Sequence, residues 1–435
     1  MKYSRNVAIN VVIANMIGTG IFFSLGYQVG DLPSWFSIMT LWIVGAIIAI
    51  LGALCYSEIS IRIKGAGGEY QYLSKIYHPA LGFTAGWVSF IVGFAAPIAV
   101  VAIGIGEYTK DLFNINEKFI AVIAILVSGI IHILGVKSGS FFQNIVTRFK
   151  ILFLISLILM PILIIFFHTD FNPTNQVIFN PMNNGVNDFD LIFSSDFAVS
   201  LVWCYLSYSG WNAAVYFSDR IENPEKNIPF SLITGTIVVS LLYLLLNTSF
   251  IYAIDFSNIK PQADIGNTYL SYLFPEHISK PFSILFGVAL ISSLSSMLIA
   301  GPSVLQTMGK DYQKIKILNK KNKYDSPYIA IFWLMFFSIF LIFNVGFKDL
   351  VEYVGVILSI FAVLVVLGVP ILRLRQKESN EFEVYKAPLG KLISLIFAIV
   401  NLFMIYYIFS SDIIKLIYVS ITLLVGYILY FLTRN

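Results

Sequence analysis

The sequence predicts an all-α integral membrane protein of twelve transmembrane helices. Three observations carry that expectation. Of 435 residues, 58% are hydrophobic and 12% are charged, about half the charged fraction usual in globular chains. The apolar residues gather into runs at roughly 7–29, 35–61, 81–106, 118–136, 141–167, 191–218, 228–254, 281–308, 328–346, 350–372, 389–410 and 413–432, each near the ~20 residues that span a bilayer. The basic residues alternate with these runs. If the N-terminus is cytoplasmic, the outside segments hold only Lys110, Lys118, Lys260, Lys280, Lys348 and Lys415. The inside segments hold the basic clusters at 310–323 and 373–391 and most of the rest, with Arg148 and Lys150 inside the fifth run. An even number of spans then puts both termini in the cytoplasm by the positive-inside rule.

The first span is interrupted. Asn15-Met16-Ile17-Gly18-Thr19-Gly20-Ile21-Phe22 lies near its middle, and each Gly costs roughly 1 kcal/mol against Ala in a helix interior. A break there frees backbone N–H groups at membrane depth, tolerated only where protein or a polar cavity receives them. The start of the second half-helix would aim those amides and a positive dipole end at the midplane, where a carboxylate could bind. Close helix packing is the other reading of the same small residues. The spans that follow are uninterrupted up to the fifth. The longest polar insert, 168–190, has no Lys or Arg and reads as an irregular extracellular loop.

The sixth span echoes the first. Leu201-Val-Trp-Cys-Tyr-Leu-Ser-Tyr-Ser-Gly-Trp-Asn212 carries Ser207, Ser209 and Gly210 at mid-depth. Five spans separate the two starts, so the second unit enters the membrane from the opposite side. This is the layout of an inverted-repeat transporter with its site between two broken helices. The expected division is 1–168 for the first five-helix repeat, 169–190 for the loop, 191–372 for the second repeat, and 373–435 for a cytoplasmic loop and two further helices.

Lys150 lies about ten residues into the fifth helix, ~15 Å along it, near the middle of the hydrocarbon core. A lysine there must face a cavity, find partners or lose its proton. The expected role is a fixed cation or a coupling group. Arg148 points elsewhere and is expected to snorkel. Ser292, Ser293, Ser295 and Ser296 of the eighth span could meet Lys150 or bond back to their own helix. Cys55 and Cys204 fall in apolar spans and read as small core residues. The first run lacks a signal-peptidase site, so no cleavable leader is expected. The small net charge of +4 gives no reason to expect nucleic acid. No HExxH, GxSxG, P-loop or metal-spaced Cys pair is present, so neither enzyme chemistry nor a cofactor is expected. A channel would want charge rings or a carbonyl filter, and a sensing receptor an output domain.

The ordered motifs carry a resemblance. They are Asn15-Met-Ile-Gly-Thr-Gly-Ile-Phe22, Tyr56-Ser-Glu58, Gly67-Gly-Glu-Tyr-Gln-Tyr72, Gly86-Trp87 with Pro97, Tyr208-Ser-Gly-Trp-Asn212, Glu222-Asn-Pro-Glu-Lys-Asn-Ile-Pro229 and Tyr385-Lys-Ala-Pro388. Together they resemble the amino acid–polyamine–organocation (APC) superfamily, and within it the prokaryotic relatives of the L-type amino acid transporters, over essentially the whole chain. The resemblance implies a LeuT-like 5+5 inverted repeat in the cytoplasmic membrane. It implies that amides of Gly18, Thr19 and Gly20, with the Thr19 hydroxyl, hold a substrate carboxylate. Carbonyls of Met16, Leu206, Ser207 and Ser209 would hold its ammonium. Lys150 would stand in the sodium site of sodium-driven relatives, leaving exchange or proton symport open; Ser292 and Ser293, read from the eighth span itself, are the expected coupling partners. Ser209, acidic in some carriers of cationic amino acids, implies a neutral substrate. Leu206 replaces a common gating aromatic, so Tyr205 or Tyr208 would gate. Ser303 replaces a frequent arginine. The cysteine that links animal members to a glycoprotein subunit has no counterpart, so a monomer or weak homo-oligomer is expected. A polyamine or organic-amine carrier of the same fold is the alternative within the class.

Overall fold

A computed structural model describes residues 2–32, 34–167, 188–254, 259, 264–344, 347–375 and 385–434. Most of the expected extracellular loop therefore lies outside the described residues. The helices are α1 (Arg5–Met16), α2 (Gly20–Asp31), α3 (Trp35–Arg62), α4 (Glu69–Ile76), α5 (Pro79–Val88), α6 (Ala96–Phe113), α7 (Glu117–Ile133), α8 (Val136–Phe167), α9 (Asp188–Leu191), α10 (Ser195–Tyr208), α11 (Ala213–Tyr216), α12 (Pro224–Ala253), α13 (Ile265–Leu273), α14 (Glu276–Asp311), α15 (Tyr328–Asn344), α16 (Phe347–Val366), α17 (Gly368–Arg375), α18 (Gly390–Ser411) and α19 (Ile413–Thr433). Among the described residues, nine helical segments are long and apolar enough to cross a membrane, which makes this a multi-pass membrane protein. The fourth, sixth and ninth apolar runs fall on α7, α10 with α11, and α15, which are shorter.

Both interruptions have local causes. α1 ends at Met16 and α2 begins at Gly20, with Ile17 leaving helical geometry between them. A Cβ on Gly20 would lie 2.4 Å from Ser207 Oγ and 2.8 Å from Ser207 Cα, so the two interrupted elements meet where only glycine fits. α10 ends at Tyr208, Ser209 is extended, and Gly210 takes a φ of +93° that an L side chain resists. Between α5 and α6 the chain winds as a π-helix over Ser89–Ala95. Pro97 sits in the first turn of α6. It has no N–H to donate and crowds the carbonyl four residues back, so the ladder is displaced there.

α1 packs against α12, α14 and α8, while α14 also packs against α6 and α8. The central helices are therefore buried on all sides, and α18 and α19 lie outermost with many exposed apolar side chains. At one end, buried Glu58 gathers Arg62 Nε (2.8 Å), Arg373 Nε and Nη2 (2.9 and 2.6 Å) and the Ala387 amide (2.9 Å). Two motifs distant in sequence, Tyr56-Ser-Glu58 and Tyr385-Lys-Ala-Pro388, thus meet at one carboxylate. Cys55 and Cys204 are buried free thiols.

Candidate substrate-binding site

The two breaks share a cavity. Its walls include Asn15, Met16, Gly18, Thr19 and Gly20 from the first and Leu206, Ser207 and Ser209 from the second. Apolar side chains of Pro97, Val100, Val101, Met297 and Val354 complete it. All seven residues expected to hold substrate are therefore brought together. Ser207 stitches the halves, since its hydroxyl bonds Trp203 O (2.7 Å) and shares a hydrogen with Ser24 Oγ of α2 (2.9 Å).

The backbone groups divide differently from the expectation. The Gly18 amide is already taken by Met16 O at 2.9 Å. The free donors are the N–H groups of Thr19, Gly20 and Ile21, which have no backbone acceptor among the described residues. They open α2, so they carry the positive end of its dipole. The Thr19 hydroxyl makes no cap to its own helix. On the acceptor side, Leu206 O receives both the N–H (3.0 Å) and the hydroxyl (2.7 Å) of Ser209. Met16 O and Ser207 O both face the Tyr243 hydroxyl, at 2.8 and 3.0 Å. A hydroxyl has one hydrogen, so one of these two carbonyls keeps room for another donor.

Lys150 is 1% exposed. Its ammonium donates to Ile17 O (2.5 Å), Ser293 Oγ (2.6 Å) and Ala14 O (3.3 Å), three acceptors for its three hydrogens. Ser293 Oγ in turn donates to Ile17 O. The lysine thus ties the end of α1 to α14 just behind the cavity. Ser292 is not part of this cluster: its hydroxyl pairs with Thr147 Oγ1 at 3.2 Å. Ser295 pairs with His132 Nε2 at 2.8 Å and Ser296 bonds back to Ser293 O. Arg148 is exposed on the outer face of α8.

The two candidate gates separate. Tyr205 lines an adjoining cavity of about 50 Å³ that shares Asn15, Pro97, Ser209 and Met297 with the first. Tyr208 lines neither; its ring packs against Trp42 and Tyr243, with centroids 5.7 and 5.1 Å apart. Tyr243, Asn15 and Glu69 were missed from sequence. A hydroxyl near the middle of the seventh apolar run was the available signal for Tyr243. Glu69 stands in a glycine-rich motif that reads as a turn. It is 2% exposed and lines the adjoining cavity, and burial pushes its carboxyl up to about 7.

The profile of the amino acid permease family matches residues 7–430. The chain is 25% identical over 437 residues to the b(0,+)-type amino acid transporter 1 of Mus musculus, covering 97% of this chain and 85% of that one. It is 25% identical over 389 residues to the serine/threonine exchanger SteT of Bacillus subtilis (strain 168), covering 88% and 85%. The cystine/glutamate transporter of Homo sapiens is 23% identical over 418 residues, covering 93% and 79%. With nearly every residue inside the family profile, the cavity between the breaks belongs to a permease rather than an enzyme: the chain is a member of the amino acid permease family of the APC superfamily.

Proposed function

We propose that the protein is a sodium-independent secondary transporter of neutral L-amino acids, working by alternating access as an exchanger or proton symporter. The observation that carries this reading is the cavity enclosed by both breaks. Free amides of Thr19, Gly20 and Ile21 stand on one side of it, and the carbonyls of Met16 and Ser207, sharing a single tyrosine hydrogen, stand on the other. Amides attract a carboxylate and carbonyls an ammonium, so a zwitterionic α-amino acid fits the polarity at both ends. No acidic side chain lines this cavity among the described residues, which favours a neutral side chain, and amino acids are named in all three relatives.

Sodium independence rests on Lys150. Its ammonium holds the backbone and hydroxyl oxygens that a bound cation would need. The reading includes the cytoplasmic membrane, cytoplasmic termini, and a twelve-helix 5+5 inverted repeat over 1–168 and 191–372. α1, α2, α3, α10, α11 and α12 would move as one bundle against the remainder.

Uptake of a panel of labelled amino acids into proteoliposomes tests this, with and without sodium and with and without internal amino acid. Uptake of neutral amino acids that ignores sodium is the expected result. Uptake of amines alone, or an absolute sodium requirement, would overturn the reading.

A further inference from the structure

The cavity next to the break site ends on a carboxyl that no cation balances among the described residues. Glu69 Oε1 accepts from the Tyr56 hydroxyl at 2.7 Å and from Asn212 Nδ2 at 3.2 Å. Among the described residues, the buried Oε2 and the Ser89 hydroxyl have no hydrogen-bond partner, and Ser89 lies near the carboxyl. We infer that Glu69 is a proton-binding site of the transport cycle, taking up and releasing one proton at Oε2 while the neighbouring cavity loads and unloads substrate. This rests on the transporter reading above and adds the coupling ion to it.

Four observations carry the inference. First, the carboxyl's surroundings offer no charge to hold an anion. The titratable groups facing it are the phenols of Tyr56 on α3, Tyr72 on α4, Tyr205 on α10 and Tyr216 on α11. α5, which packs on α4, carries no titratable side chain. The arginines of α17 are used elsewhere, Arg373 by Glu58 and Arg375 by Ile76 O. Asp311 of α14 takes the Tyr70 hydroxyl at 2.5 Å. From α16, Leu358 and Ala362 face the cavity, and its Tyr353 bonds Thr422. A buried acid so placed favours its neutral form, in line with its rise to about 7.

Second, the adjoining space of about 50 Å³ admits a few waters, which can deliver the proton. Third, the Ser89 hydroxyl stands near Oε2 with no bond of its own among the described residues; drawn into bonding range, its oxygen would accept from a protonated Oε2 and its hydrogen would go to an ionised one. Fourth, the contacts of Oε1 reach Asn212, at the second break, and Tyr56 on α3. Charging the carboxyl therefore acts on the second break, which lines the substrate cavity through Ser209, and on α3.

The balance of the step is simple. A hydronium in the cavity loses its proton to the carboxylate, leaving a carboxylic acid and water, and the reverse step returns the proton on the other side.

The test uses purified full-length protein in proteoliposomes. Vesicles loaded with unlabelled amino acid report exchange, and empty vesicles with an inward proton gradient and a trapped pH dye report coupled entry. Between about pH 6 and about pH 8 the protonated fraction of an acid titrating near 7 falls roughly tenfold. The wild-type transport rate is expected to fall several-fold over that range, and the ratio of the two rates in Glu69→Gln to approach one, whatever its absolute rate. In wild type, amino acid entry is expected to acidify the lumen. A wild-type rate that is flat with pH, a Glu69→Gln variant that keeps the wild-type ratio, or entry of amino acid with no lumenal acidification would overturn the inference. So would a Glu69→Gln variant that loses only basic amino acids, which would make Glu69 a side-chain subsite. The dye measurement on wild type decides the matter if the variant does not fold. No exchange by wild type in the loaded vesicles would remove the transporter reading itself, and this inference with it.

Discussion

Replacing Lys150 by methionine keeps an unbranched apolar stem and removes the ammonium at its end. The two short contacts, to Ile17 O at 2.5 Å and Ser293 Oγ at 2.6 Å, are hydrogen bonds from a charged group, each contributing about 1.5–3 kcal/mol. Against them stands the desolvation of a cation with no carboxylate beside it, which costs several kcal/mol. The two sums are of similar size, so the variant is expected to fold with near-normal thermal stability. What it loses is the tie between the end of α1 and α14. If the occluded state depends on that tie by even about 2.7 kcal/mol, transport slows roughly a hundredfold. The assay is exchange of labelled amino acid in proteoliposomes, normalised to folded protein by size-exclusion profile. A well-folded Lys150→Met that exchanges at the wild-type rate would refute the reasoning, because the three oxygens it leaves behind would then be dispensable.

Three further perturbations probe the frame around that lysine. Gly20→Ala drives a methyl to 2.8 Å from Ser207 Cα and should abolish exchange by parting the breaks, whereas Gly18→Ala meets only Val101 Cγ2 at 3.7 Å and should fold normally but raise KM; equal behaviour of the two would contradict the geometry. Glu58→Ala strands Arg373 and the Ala387 amide and should lower stability by about 3 kcal/mol, read as a lower melting temperature in detergent. Asp264 caps α13 and accepts from Tyr108 at 2.6 Å, and burial raises it to about 7. Its folded form holds a proton that the unfolded chain has already released, so stability should fall as pH rises from about 4 to about 7 and level off above. Asp264→Asn should flatten that slope in a pH series of melting curves.

The apolar runs and the two glycine-bearing breaks were legible because membrane depth leaves few options for a free amide, and Gly18, Gly20 and Gly210 announce where one is needed. Lys150 was legible for the same reason, since a mid-span charge has few lodgings. Its partners were not. Ser292 and Ser293 are adjacent in sequence and point about 100° apart on α14, so only the helix rotation separates the one that meets Lys150 from the one that meets Thr147. Tyr205 and Tyr208 posed the same problem on α10. Which amide is free was also illegible, because the turn from Gly18 N to Met16 O is a local backbone choice that no residue type dictates. Glu69 was hidden by its surroundings: a carboxylate next to glycines reads as part of an ordered cytoplasmic loop, and only the packing of Tyr56 and Asn212 shows it enclosed.

Tyr243 brings these threads together. Its one hydroxyl hydrogen stands between Met16 O and Ser207 O; Met16 O also receives the Gly18 amide at 2.9 Å, so Ser207 O is the carbonyl that depends on the tyrosine. An entering ammonium donates to the lone pairs still open on the two carbonyls, so the closed arrangement gains hydrogen bonds with substrate that it lacks without. Closure is thereby favoured by occupancy, as a carrier of either kind, exchanger or proton symporter, needs. Tyr243→Phe removes that hydrogen and leaves Ser207 O without a donor among the described residues, at about 1–3 kcal/mol, while Met16 O keeps the Gly18 amide. The substrate-free protein should melt lower, and added amino acid, able to donate to both carbonyls, should raise the melting temperature by more than in wild type. A substrate-induced shift that shrinks in Tyr243→Phe would mean that the tyrosine and the ammonium do not compete for the same two oxygens.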